Sequence, residues 1–139
     1  MRSKSARQLS AGFFSVSERC LTERHCGDEA LAIIPVPGIV CGVFSIEIGF
    51  KSLLMVKGDA AQGHNLLKLF EKLDSSIQDE IIQGVGLDRA SFMNELSEMA
   101  DSFTQWRYVY EHEEVQINLG FLDQLAKTTQ NIALRVVGT

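Results

Sequence analysis

Proline occurs only twice in these 139 residues, tryptophan once and tyrosine twice. The prolines, Pro35 and Pro37, are close neighbours, so one short loop absorbs the strongest backbone breaker and the rest of the chain is free to run as helices. Cysteine is scarce and odd in number: Cys20, Cys26 and Cys41. With no secretory apolar segment at the start, three thiols argue for a reducing cytoplasm rather than a disulfide framework. Cys20, His25 and Cys26 are close in sequence, but their spacing fits no zinc pattern and a fourth ligand is missing, so neither metal nor cofactor is expected. An unbroken apolar run of about 18 residues is also lacking. The best stretch, Leu31 to Phe50, is interrupted by Pro35, Pro37, three glycines and Glu47, and no membrane span is expected. Excess positive charge is absent: 13 Lys and Arg face 18 Asp and Glu, a net charge of −5. Neutralisation by Lys and Arg drives phosphate-backbone binding, so only a local nucleic-acid site remains open. No Walker loop or dinucleotide glycine fingerprint is present, and the glycines read as helix breaks.

What is there is ordinary globular composition, 45% apolar and 22% charged, in one domain spanning 1–139. Such a length buries about two-thirds of its unfolded surface. Leu9, Phe13, Val16 and Cys20 recur at helical spacing and predict a first helix over residues 5–25, stopped at Gly27. That helix and the following loop make up 1–37, and 38–137 form the core bundle. Pro35, Pro37 and Gly38 lead into a second helix, because proline is tolerated in a first turn. Val43, Ile46, Phe50, Leu53, Leu54 and Lys57 mark one face of it, and Phe44, Ile48 and Met55 a second, so the helix is expected to be central; Gly58 ends it. Leu66, Leu69, Phe70 and Leu73 give a short third helix, with Ser75 and Ser76 capping a further turn or two through Ile82 before Gly84 and Gly86 break the chain. Asp88 caps a long fourth helix whose stripe is Phe92, Leu96, Met99, Phe103, Trp106 and Tyr110. A last helix carries Ile117, Phe121, Leu125, Ile132 and Val136. Almost nothing reads as strand, and the pattern predicts an all-α bundle of four or five helices in up-down order.

Chemistry is sought among polar residues on buried faces. Glu47 lies on the stripe Val43, Glu47, Phe50, Leu54, and a carboxylate there must be paired, because burying it alone costs several kcal/mol. Lys51, four residues on, answers it locally. Arg107, beside Trp106 at the edge of the fourth helix's buried face, answers it from another helix, and a Glu47–Arg107 pair would fix the register of the two. His64 opens the third helix, where a helix-end or interhelical hydrogen bond is expected. His25 is placed at a helix C-terminus, where an imidazolium is favourable. The segment Phe103-Thr-Gln-Trp106-Arg107-Tyr-Val-Tyr110-Glu-His112 adds a third histidine five residues after Arg107.

Ser45-Ile-Glu47-Ile-Gly-Phe-Lys51-Ser-Leu-Leu54, then Gly58, then Gly63-His64-Asn-Leu66-Leu-Lys-Leu69-Phe70-Glu-Lys-Leu73, resembles the first helical pair of HEPN domains. Trp106-Arg107-Tyr-Val-Tyr-Glu-His112 then falls where that superfamily carries its R-x4–6-H motif, so the resemblance covers most of residues 40–137. It implies a HEPN-like bundle that dimerises, with Arg and His of both subunits lining one cleft. Catalytic members are metal-independent ribonucleases of toxin–antitoxin and antiviral systems. Carried over, Arg107 would clamp the phosphate and His112 would act as acid and base, chemistry that suits a guanidinium and an imidazole at neutral pH. Three features of this chain depart from the catalytic pattern. Tyr108 replaces a small polar residue after the arginine. Five residues of regular helix rotate by about 140°, which turns His112 away from Arg107. Glu111, Glu113 and Glu114 surround His112 and repel a phosphate.

Two readings follow. The first is a non-catalytic HEPN-like module, cytoplasmic, that forms a homodimer or binds a protein partner such as an antitoxin, with Arg107 locked to Glu47. The alternative is a metal-independent HEPN ribonuclease acting on RNA through Arg107 and His112 at a dimer cleft.

Overall fold

The computed structural model describes residues 2–22, 24–26, 29–31, 35–59, 61–106 and 118–139, with side chains at all of these except 24–26, 29–31, 35 and 102–106. Six helices follow one another: α1 (Arg2–Leu21), α2 (Pro35–Val56), α3 (Leu66–Lys72), α4 (Ser75–Val85), α5 (Arg89–Trp106) and α6 (Leu119–Val137). Between α1 and α2, β1 (Arg24–Cys26) and β2 (Glu29–Leu31) pair antiparallel, Arg24 opposite Leu31. The molecule is an all-α bundle, as the periodicity predicts. The expected third helix with its extra turns is two separate helices, α3 and α4, which brings the number of helices among the described residues to six.

α2 is the central element. It opens on Pro35, with Pro37 inside its first turn, where the missing N–H has no carbonyl to bond. It then runs unbroken through Gly38, Gly42 and Gly49, the three glycines that interrupt the apolar run. Val36–Val56 is therefore long and apolar enough to cross a membrane by length and composition, and 61% of that stretch is buried inside the bundle. Coverage on this scale is what a core helix needs. Ile39, Val43, Ile46, Phe50, Leu53 and Leu54 are all buried. Facing them are Leu66, Leu69 and Phe70 of α3, Ile81 of α4, Phe92 and Leu96 of α5, and Leu122 and Leu125 of α6.

The first helix departs most from its sequence reading. It ends at Leu21 rather than near residue 25, and Gly27 does not stop it. The inward face is not the one marked by Leu9 and Val16, which are 54% and 45% exposed. Ser10 and Ser17 point inward instead, both buried, with Phe14 and Leu21 beside them. The reason is space. α1 and α2 make the most extensive contact between described elements, and they approach through small residues. A Cβ on Gly42 would lie 2.9 Å from Ser17 Oγ, and one on Gly49 only 2.6 Å from Thr129 Cγ2 of α6 and 3.2 Å from Ser10 Oγ. At Gly42 and Gly49 there is room only for short side chains. α1 is thus part of the packed bundle, although the sequence sets residues 1–37 apart from the core.

Helix ends follow local chemistry. Asn65 and Asn118 cap α3 and α6, their Oδ1 atoms accepting from Lys68 N (3.1 Å) and Phe121 N (3.0 Å). Asp88 caps α5 as expected, accepting from Ser91 N at 3.0 Å and Ser91 Oγ at 2.7 Å. These bonds hold the Asp88 carboxyl below its ordinary value. The cap position of α4 is Asp74, not Ser75 or Ser76; its side chain makes an ion pair with Lys57 rather than a cap bond. Gly84 continues α4 instead of breaking it, because its bare Cα lets Thr128 of α6 close in. Gly86 does end the helix, in the left-handed conformation (φ 86°).

Candidate functional site

Glu47 is the buried charge of the bundle core, 4% exposed near the middle of α2. Its Oε2 lies 3.4 Å from Lys51 Nζ and 3.4 Å from His64 Nδ1. Lys51 comes from the next turn of the same helix, the four-residue spacing that stacks side chains on one face. His64 arrives from the segment before α3, held there because Asn65 behind it is the α3 cap and Leu66 is buried in the core. The imidazole itself is largely exposed, 69% of its surface. The cluster therefore grades from an enclosed carboxylate through a nearly buried ammonium to a solvent-facing ring. Both partners address the same oxygen, and Glu47 Oε1 is buried with no hydrogen-bond partner among the described residues. A single unpaired carboxylate oxygen in such a place costs on the order of 1–3 kcal/mol, so it holds an acceptor in readiness for a further donor.

The structure brings together three of the residues singled out from sequence: Glu47, Lys51 and His64. The Glu47–Lys51 pair was legible in the spacing. The His64 contact, seventeen positions away, rests on the placement of 61–66 before α3, and it is a hydrogen-bond contact near a helix start as the sequence reading expects. Trp106 ends α5, and its side chain lies outside the described set. Arg107, Tyr108 and His112 lie outside the described residues, and so does the Glu47–Arg107 pair. His25 belongs to β1 and not to a helix C-terminus, because α1 ends four residues earlier.

Two clusters were not anticipated. Ser10 Oγ donates to the Ser45 carbonyl at 2.5 Å and accepts from Gln130 Nε2 at 2.6 Å, tying α1, α2 and α6 at one point. Ser17 Oγ donates to the Gly38 carbonyl at 2.7 Å. A signal existed: Ser10 and Ser17 share the seven-residue interval of Gly42 and Gly49, which places each pair on one helix face. The second cluster closes the far end of α1. Burial, and then a hydrogen bond and charge from Asp123 on α6, push the Glu18 carboxyl above its ordinary value, with Lys127 acting against the rise. Glu18, Asp123 and Lys127 line a cleft of about 380 Å³ with Leu21, Thr22 and Leu119. No sequence interval links positions so far apart.

Along α2, next to the Glu47 cluster, runs an apolar strip that the bundle leaves half-covered. Val40, Phe44, Ile48 and Met55 are all partly exposed, separated by four, four and seven residues. Phe13 of α1 packs on Phe44, ring centroids 5.6 Å apart. Among the described residues no group of three or more His, Cys, Asp or Glu side chains could hold a metal ion. Comparison of the chain with protein-family models, with characterised proteins and with solved structures gives no match, so the reading of this site rests on its own geometry.

Proposed function

We propose that the protein is a non-catalytic HEPN-like helical module whose work is self-association, two chains meeting through the half-exposed apolar face of α2. The single observation behind this reading is that face. Val40, Phe44, Ile48 and Met55 share one half-exposed face of α2, with Lys51 between the last two, and α1 extends it with Phe13 and with Leu9 and Val16. A helix this apolar is normally covered on every side, and a contiguous apolar patch edged by polar groups is what an interface offers. Lys51 lies on the strip's edge, with Glu47 behind it and His64 outside. The resemblance to HEPN domains points the same way, since it expects a dimer with charged residues at a shared cleft. Glu47 Oε1 supplies an acceptor that the Arg107 guanidinium would fill. A setting in prokaryotic defence or a toxin–antitoxin pair belongs to the same proposal.

The experiment is light scattering coupled to gel filtration. Wild type should run as a dimer, and Ile48→Glu, which puts a charge on the strip without opening the core, should run as a folded monomer with unchanged helical circular dichroism. A wild-type monomer at high concentration would overturn the reading. The ribonuclease alternative predicts RNA cleavage in EDTA that His112→Ala abolishes. Intact RNA with folded wild-type protein removes it. If Arg107 locks to Glu47, Arg107→Ala should lower the melting temperature by several degrees through an orphaned carboxylate.

A further inference from the structure

Two cysteines, Cys20 on the last turn of α1 and Cys41 on the second turn of α2, are free thiols, and both are only half-buried. They belong to the same seam. Ser17 Oγ bonds the Gly38 carbonyl at 2.7 Å, which fixes the end of α1 against the start of α2. One turn beyond Ser17, the Cys20 Cβ lies 2.9 Å from where a Gly38 Cβ would stand. One turn beyond Gly38 is Cys41. By helical phase Cys20 lies on the Phe13 side of the Ser10–Ser17 line and Cys41 on the Phe44 side of the Gly42–Gly49 line, the side on which Phe13 meets Phe44. Each Cβ on a helix leans toward its own N-terminus, and in this antiparallel pair that lean carries the two sulfurs toward each other. Burial first, and the Cys20 sulfur second, push the Cys41 thiol above its ordinary value, consistent with one thiol lying in the field of the other.

We propose that Cys20 and Cys41 form a reversible intrachain disulfide, a redox clamp that fastens the end of α1 to α2 when the chain meets a low-molecular-weight disulfide. The chemistry balances with oxidised glutathione as the co-reactant. The Cys20 thiolate attacks one glutathione sulfur, the glutathione S–S bond breaks, and the first glutathione leaves as a thiolate that takes up a proton. Cys41, its thiol pushed above the ordinary value by burial, acts second. It gives its proton to solvent and attacks Cys20 Sγ, expelling the second glutathione. Two protein thiols are oxidised and one glutathione disulfide is reduced to two thiols. The loop closed by the new bond contains β1 and β2. At Gly38 the missing side chain lets Leu21 and the Cys20 Cβ of α1 reach the α2 backbone, the close approach of helices that a disulfide's short Cα separation requires.

The test uses full-length protein incubated with oxidised glutathione and analysed by peptide mapping under non-reducing conditions. A Cys20–Cys41 linkage within one chain, reversed by dithiothreitol and accompanied by a rise in melting temperature, supports the clamp. In a Cys26→Ser background both remaining thiols should disappear together with the mass of two hydrogens, and adding Cys41→Ser should stop the reaction at a stable glutathione adduct on Cys20. A Cys20–Cys26 linkage, a bridge between two chains, stable glutathione adducts on both cysteines, or two unreacted thiols would each overturn the proposal. Wild-type mapping keeps the test decisive even if a substituted chain folds poorly.

Discussion

The two sides of α2 hold their neighbours by opposite means. Toward α1, and toward α6 at Thr129, the contact is made by what is missing: Gly42 and Gly49 have no side chain, Ser10 and Ser17 have short ones, and hydroxyl groups bond directly to the facing backbone. Toward α3, α5 and α6 the contact is a column of rings. Phe50 meets Phe70 at 5.9 Å, Phe70 meets Phe92 at 5.0 Å, and Phe92 meets Phe121 at 5.6 Å, so four helices share one aromatic stack. The ring column gains from buried area and from tilted or edge-on packing of rings. The seam holds by close approach and by satisfied hydrogen bonds. One side should therefore fail when atoms are removed, the other when they are added.

Phe70→Ala is expected to have the largest effect, since Phe70 is fully buried between Phe50 and Phe92: a loss of about 3–5 kcal/mol in urea unfolding. A loss below 1 kcal/mol would mean that the column is not a structural unit. At the seam the sharper test is Gly49→Ala. Helix propensity alone favours alanine by about 1 kcal/mol, whereas a Cβ 2.6 Å from Thr129 Cγ2 costs about 1–3 kcal/mol of overpacking. Net destabilisation is expected, and Thr129→Ser, which deletes that methyl, should reverse most of it. Failure of the rescue would break the account of the seam. Ser10→Ala should cost about 1 kcal/mol, because the Ser45 carbonyl and Gln130 lose a shared partner at the junction of three helices.

The smallest expected effect lies at the seam's far end and depends on pH. The folded Glu18 carboxyl ionises above its ordinary 4.5, so the native state binds this proton more tightly than the unfolded chain. Stability should accordingly rise as pH falls through the raised folded value toward 4.5, and the Glu18 contribution should level off below that. Glu18→Gln, fixed in the uncharged form, should melt higher than wild type at neutral pH, with the gap closing across that window. Equal melting temperatures at all pH values would show that the Glu18–Asp123 contact carries no proton linkage.

How much of this was legible in the sequence divides along the same line as the comparison. The ring column and the leucine positions around it were legible because large apolar side chains repeat at helical intervals whatever their partner. Phe50, Phe70, Phe92 and Phe121 were all placed inward, and all are buried. The seam was misread for a physical reason. Apolarity nominated Leu9 and Val16 for the inside of α1, but at Gly42 and Gly49 the facing surface of α2 is backbone, and the short Ser17 and Ser10 side chains meet it there. At the candidate site, Glu47 and Lys51 were legible from burial pattern and spacing. The third member, His64, needed the turn after α2 and the Asn65 cap to bring it back along the helix.

By itself, then, the sequence determined the helical class, the central position of α2, the aromatic interior and the need of Glu47 for a cationic neighbour. Those follow from periodicity and from the cost of burying charge, which are local properties of the chain. Only the tertiary structure decided which face of α1 turns inward, that the glycines of α2 are contact points rather than breaks, and that Cys20 and Cys41 share an edge. It also decided that one carboxylate oxygen of Glu47 stays unpaired among the described residues and that an apolar face of α2 is half-exposed beside it. Each of these depends on how closely two helices approach, and that distance is set jointly by both surfaces and written in neither alone.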